Sequence, residues 1–241
     1  MPYFLKFYEE NIMIKIRDNN KLDYFIKKYN INDFFESNIK EFMELHFFKK
    51  GDHICEKGEN PNYFYFFVEG RAKVYISTPN GKSLLIRFCS PLQIIGDIEM
   101  VSDVVIDCSI QAITNCLCIA IPINVFKNIL CKDIIFLNFI CKELSYKLSS
   151  ASAATSINVL YPLENRLASY LLALYPNDMS PKDDIVKDNF TQIAELLGSD
   201  YRHFLRIVDR LCSKNIIKKE KRTLTILDRD ALNELAVNLY Y

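Results

Sequence analysis

Short apolar runs separated by glycine fill the first half of the chain. The runs span 63–69, 71–78, 83–89, 108–114 and 116–122, and they are rich in Phe, Tyr, Val and Ile. Gly51, Gly58, Gly70, Gly81 and Gly96 punctuate this region, and the next glycine is Gly198. Runs of this length and content read as strands. Glycine supplies the positive φ of tight turns, so a series of hairpins is expected, with Asn80-Gly81 the strongest signal. Many short strands with regular turns predict a jelly-roll β-barrel.

After Pro122 the period changes. No Gly or Pro occurs from about Asp133 to Asn158. Leu137, Cys141, Leu144, Leu148, Ala151, Thr155 and Asn158 follow alternating steps of four and three, the seam of a coiled coil. Packing against the chain's own barrel would give similar spacing. A dimer seam over 133–158 is favoured, because a helix this long outruns a small barrel. Leu160-Tyr161-Pro162 breaks the helix and reads as a hinge. A second helix, about 162–175, is apolar through Leu163, Leu167, Leu171 and Leu174, and a polar loop follows over 176–188. Residues 1–40 read as helical and peripheral, with no role assigned.

The stretch F-T-Q-I-A-E-L-L-G-S-D-Y-R-H-F-L-R-I-V-D-R-L, from Phe190 to Leu211, carries the chemistry. Thr191 is the expected N-cap of a short helix with Ile193, Ala194 and Leu197 on its apolar face. Gly198 then allows a left-handed turn. Asp200 would cap a second helix whose buried face is Phe204, Ile207, Val208 and Leu211. Such a pair is a helix-turn-helix, and its second helix enters the major groove of DNA. The exposed face of that helix holds Tyr201, Arg202, His203 and Arg206, and Arg202 and Arg206 are the expected base readers, since a guanidinium fork matches guanine O6 and N7. Ser199 and Asp200 stand at the turn. The run 216–227 reads as two strands around a basic tip, Lys221-Arg222, the wing of a winged helix.

Charge sharpens this picture. The chain has 241 residues, with 30 Lys plus Arg against 30 Asp plus Glu. Between Gly198 and Arg222, however, Arg202, Arg206, Arg210, Lys214, Lys218, Lys219, Lys221 and Arg222 face only Asp200, Asp209 and Glu220. A locally basic segment in a neutral chain is a footprint suited to phosphate contact.

The eight cysteines form no C-x-x-C pair, and no His stands near enough to complete a zinc site. They read as buried small hydrophobes, with a thiol-based redox sensor as the alternative. Metal-dependent barrel enzymes need clustered ligands. His46, His53 and His203 are the only histidines, so no catalytic residue, metal or cofactor is expected. No apolar stretch approaches membrane-spanning length, and 1–16 lacks a signal peptide's basic start, so a cytoplasmic protein is expected.

Three segments resemble the cyclic-AMP-receptor/FNR superfamily of bacterial transcription regulators. F-K-K-G-D-H-I-C-E-K-G-E with Y-F-Y-F-F-V-E-G-R-A-K-V looks like the family's opening barrel strands. P-L-Q-I-I-G-D-I-E-M is similar to the start of its phosphate-binding cassette, and L-E-N-R-L-A-S-Y-L-L leads into the helix-turn-helix. The resemblance covers most of the chain after about Phe47. It implies an α+β fold: an N-terminal jelly-roll β-barrel of the cyclic-nucleotide-binding type, a long dimerisation helix and a C-terminal winged helix-turn-helix. The expected segments are 1–40, a sensor barrel over 41–130, the dimerisation helix over 131–160 and a DNA-binding domain over 161–241. Homodimerisation and palindromic double-stranded DNA follow from the same resemblance. RNA polymerase is a further candidate partner, through the acidic loop 178–188, although a solvated loop is favoured.

The effector site departs from the family. Cyclic-nucleotide binders place Gly-Glu on the ribose and Arg-Ser or Arg-Thr on the phosphate. Here the first pair resembles Gly96-Asp97, beside Ile98, and the second falls at Ile106-Asp107-Cys108. No Lys or Arg occurs between Cys89 and Phe126. A buried phosphate facing carboxylates without a cation is strongly disfavoured. The expectation is therefore a sequence-specific regulator with an unknown small-molecule effector other than cyclic AMP. A ligand-binding module acting on a partner protein is the other open reading.

Overall fold

The computed structural model describes residues 13–175, 185–187 and 189–236. Twelve strands and eight helices run in the order β1 (Ile14–Ile16), α1 (Asn19–Lys28), β2 (Glu44–Phe48), β3 (His53–Cys55), β4 (Tyr63–Glu69), β5 (Ala72–Ser77), β6 (Ser83–Cys89), β7 (Gln93–Ile95), α2 (Asp97–Ser102), β8 (Ser109–Ala112), β9 (Cys116–Pro122), α3 (Ile123–Asn128), α4 (Ile134–Leu160), α5 (Leu163–Leu174), β10 (Ile185–Lys187), α6 (Phe190–Leu196), α7 (Tyr201–Ser213), β11 (Ile217–Glu220), β12 (Thr223–Ile226) and α8 (Arg229–Leu235). The chain divides into two compact units, one from 1–73 and 89–144, the other from 74–88 and 145–241. Among the described residues no helix is long and apolar enough to cross a membrane.

Two sheets build the β-rich half, with strand orders β1-β2-β9-β4-β7 and β3-β8-β5-β6. The recorded pairings do not close them into one continuous barrel. In the first sheet β4 pairs antiparallel with both β9 and β7, and His46 on β2 lies opposite Cys118 on β9. Successive side chains of a strand point to opposite faces. On one face Leu45, Phe66, Leu117 and Ile119 join Phe25 of α1, Phe126 of α3 and Phe136 of α4 in the core. Each such side chain contributes roughly 1.5–3 kcal/mol when fully buried. The opposite face carries His46, Phe48, Tyr65, Cys116 and Cys118, all buried.

Three local expectations change. Residues 14–16 form an edge strand paired with β2 rather than a helix, because Ile14 and Ile16 find register opposite Phe47 and Leu45. The earliest residues, 1–12, lie outside the described ones. Of the five glycines from 51 to 96, Gly81 turns a hairpin between neighbouring strands, β5 and β6. Gly70 instead carries the chain from one sheet to the other, at φ +96, where a Cβ would stand 2.4 Å from the Asn115 carbonyl oxygen. Gly96 precedes α2, a helix absent from the strand reading.

Asp133 starts α4. One carboxylate oxygen accepts the Phe136 N–H at 2.9 Å, and the other accepts the Glu36 N–H at 2.7 Å. Phe136 and Ile140 of α4 turn into the first core, with Phe136 stacked on Phe35 at 5.2 Å. Further along, Cys141, Leu148, Ala151 and Thr155 are exposed on the single chain. The second unit gathers α5, which is buried along most of its length, with α6, α7, α8 and the sheet β10-β12-β11. Strand β10 emerges within the segment expected to be a loop, because 185–187 pairs with β12. The rest of that loop, 176–184 and 188, lies outside the described residues.

Candidate nucleic-acid interface

Helix α6 begins two residues earlier than its sequence suggests. Asn189, extended at φ −75 and ψ 109, is the N-cap, and its side-chain oxygen accepts the Thr191 N–H at 3.0 Å. Thr191 is thus already inside the helix, exposed on its first turn. The C-terminus closes with two hydrogen bonds. Gly198 N–H donates to the Glu195 carbonyl at 2.8 Å, and Ser199 N–H to that of Ala194 at 2.9 Å. With Gly198 at φ +62, these bonds make a Schellman turn that satisfies carbonyls left open at the helix end. Buried Ala194 is small enough for α7 to cross closely, and Phe190 meets Phe204 at 5.9 Å.

Asp200 caps α7 as expected, accepting the His203 N–H at 2.8 Å. That hydrogen bond holds the carboxyl below its ordinary range. Phe204, Ile207, Val208 and Leu211 are buried, which fixes the rotation of the helix. Tyr201, Arg202 and Arg206 are consequently exposed, with His203 half-buried beside them. Strands β11 and β12 form the wing, and its tip, Lys221 and Arg222, is exposed with Lys221 at φ +51.

Ion pairing sorts the basic segment into two groups. Lys214 and Arg210 both reach Glu164 of α5, at 3.0 and 3.5 Å. Lys219 pairs with Asp209 at 2.6 Å and Lys218 with Glu220 at 2.5 Å. Arg202, Arg206, Lys221 and Arg222 form no ion pair among the described residues. The paired cations serve the domain itself, whereas the remaining four stand on the outer face of α7 and at the wing tip. Guanidinium groups presented this way can fork onto guanine edges or phosphates.

Two positions escaped the sequence reading. Arg166 of α5 donates through Nη1 to the Leu197 carbonyl, at the turn between α6 and α7. Glu164, two residues earlier on the same helix, anchors the far end of α7. Neither partnership has a local sequence signature, although both residues fall in the L-E-N-R motif.

The candidate effector residues are divided. Asp97 and Ile106 are buried, Gly96 sits at φ +92 against the Tyr63 carbonyl, and Cys108 is half-buried. Ile98 and Asp107 face solvent. Elsewhere in this unit His46 is wholly buried between Tyr63 and Tyr65, with Nε2 3.1 Å from Glu44. Burial pushes its pKa down. Burial also pushes the Cys116 thiol up to about 11 and raises that of Cys118. Raised, enclosed thiols are poor nucleophiles. Among the described residues no group of three or more His, Cys, Asp or Glu side chains is placed to hold a metal ion.

This architecture has known counterparts. Residues 45–133 match the cyclic nucleotide-binding domain family, and residues 165–235 match the Crp-like helix-turn-helix domain family. The regulatory protein YeiL of Escherichia coli O157:H7 is 30% identical over 207 residues, covering 86% of this chain and 92% of that protein. Among solved structures, a crp/fnr-family regulator from Eubacterium rectale ATCC 33656 superposes with a TM-score of 0.73 at 18% identity, over 82% of this chain and 91% of the other. A CRP/FNR-family regulator from Thermus thermophilus gives 0.66 at 22% identity, over 80% and 97%. The two structures share the fold, and the identity to YeiL across nearly the full length of both proteins extends the likeness to sequence. The chain belongs to the Crp/FNR superfamily of transcription regulators.

Proposed function

We propose that the protein binds palindromic double-stranded DNA sequence-selectively as a homodimer, under control of an effector other than cyclic AMP. The observation that carries this reading is the sorting of charge on the helix-turn-helix. Among the described residues Arg202, Arg206, Lys221 and Arg222 stay outside every ion pair, while neighbouring cations are consumed internally. Arg202 and Arg206 read bases; Thr191, Ser199, Tyr201, His203, Lys221 and Arg222 hold the backbone or flanking edges, and Asp200 fixes the start of α7. Residues 41–130 are then the sensor, 131–160 the dimerisation helix and 161–241 the DNA-binding domain.

Two features support the finer parts. Leu148 is 70% exposed on α4 and Val159 is 77% exposed, a poor state for apolar side chains unless a second α4 covers them. Two recognition helices in such a dimer address half-sites about 34 Å apart. Against cyclic nucleotides stands the absence of Lys or Arg between Cys89 and Phe126, with Asp97 buried where a ribose would lie. Burial of the raised Cys116 and Cys118 thiols weighs against those two as redox sensors. Selection of duplexes from a random pool, followed by footprinting at several salt concentrations, tests the reading. Enrichment of an inverted repeat with salt-sensitive protection is expected. Equal, unselective binding to all duplexes overturns it.

A further inference from the structure

We infer that the β5–β6 hairpin supplies an additional DNA-phosphate contact, through Lys82. This rests on the DNA-binding reading above and adds to it a residue outside the helix-turn-helix. The hairpin, from Val74 to Phe88, belongs to the same compact unit as α6 and α7. Leu84 Cδ1 lies 3.4 Å from where a Cβ on Gly198 would stand, so the hairpin seats on the α6–α7 turn. Phe88 meets Tyr170 of α5 at 5.7 Å and fixes its base.

The tip is held together by its own hydrogen bonds. Thr78 donates its N–H and its hydroxyl to the Lys82 carbonyl, both at 2.8 Å, and Gly81 N–H donates to the Thr78 carbonyl at 2.9 Å. Lys82 and Ser83 thereby border a cleft of about 540 Å³, facing Thr191, Ser199 and Tyr201. These three are the residues along which a bound duplex would run its backbone. The same cleft is lined by Glu195 and Asp200. Asp200 is engaged in capping α7, and neither carboxylate pairs with Lys82. The exposed Lys82 ammonium forms no ion pair among the described residues. A phosphate approaching this margin would meet two carboxylates, and Lys82 is the cation placed to offset them. Like charges brought together without such a cation are disfavoured.

The experiment compares full-length wild type with Lys82→Ala, Lys82→Arg and Lys82→Glu. The probes are a duplex that the wild type enriches from a random pool and a scrambled duplex of equal length, each titrated from about 50 to 400 mM salt. One phosphate contact contributes a slope of about 0.9 in log K against log salt. Lys82→Ala is therefore expected to bind both duplexes about five- to tenfold more weakly near 0.1 M salt, with a slope shallower by about 0.9. Lys82→Arg should match the wild type, and Lys82→Glu should bind worse than Lys82→Ala. Thermal unfolding of each variant checks that the fold is intact. If wild type binds selectively and Lys82→Ala binds equally well with the same slope, the hairpin contact is overturned while the DNA-binding reading stands. A change in base preference instead of a uniform loss also overturns the phosphate contact. If the wild type itself shows no selective, salt-sensitive binding, both ideas fall together.

Discussion

The guanidinium of Arg166, in the first turn of α5, donates to the carbonyl of Leu197, the residue that closes α6. One hydrogen bond thus ties the supporting helix to the turn that aims α7. A hydrogen bond from a charged group contributes about 1.5–3 kcal/mol. Arg166→Ala is expected to lower unfolding free energy by about that amount, and Arg166→Lys to restore part of it. Urea unfolding measures the difference. A change within about 0.5 kcal/mol, typical of an inert surface site, would show that the bond does not matter.

Arg206 and Lys221 are expected to behave differently on DNA. Arg206→Ala should cost about 1–3 kcal/mol on the preferred site and relax base preference there. Lys221→Ala should weaken every duplex alike and reduce the salt slope by about 1. Binding titrations on preferred and scrambled duplexes separate the two. Uniform weakening by Arg206→Ala would reassign that residue to phosphate.

The proposed dimer seam on α4 makes a prediction about assembly. Leu148→Glu places two carboxylates opposite each other in a paired helix, although the position is open to solvent on a single chain. Sedimentation should shift from dimer toward monomer, with thermal stability of the remaining monomer little changed. A Leu148→Glu protein that still sediments as the wild type does would move the dimer contact elsewhere.

Acid should loosen the β-rich unit through His46. Its ring is wholly buried, and burial holds the folded-state pKa below the ordinary 6.5. Glu44 favours the charged ring and Lys15 opposes it, and the edges of Tyr63 and Tyr65 enclose it. The unfolded chain therefore takes up the proton first. Stability from the neutral ring is complete above about 6.5 and is lost as pH falls through the lower folded value. Glu44, which burial would raise but which Lys15 and His46 hold down, stays ionised over this range. Melting temperature should fall between about pH 7.5 and 5.5 in the wild type and fall less in His46→Gln. Parallel curves would remove His46 from the account, leaving His53, also lowered by burial, as the group to test.

Local signals carried the elements and tertiary relationships carried the site. The bounds of β4, β6 and β9, the turn at Gly198 and the cap at Asp200 were all legible in the sequence. Each depends on residues a few positions apart, where period, φ preference and side-chain reach decide the outcome. The cap of α6 was misplaced because Asn189 and Thr191 are both good cap residues and only geometry chooses between them. Strand partners could not be read, since β4 lies between β9 and β7 through contacts made across the fold. Nor could the sequence separate working cations from structural ones. Arg210 and Lys214 look as available as Arg206 until α5 brings Glu164 to them from 46 and 50 residues away. A charge is free to meet DNA only if the folded chain has not already neutralised it. That is settled by which distant carboxylate packing brings within about 4 Å, where the attraction becomes appreciable.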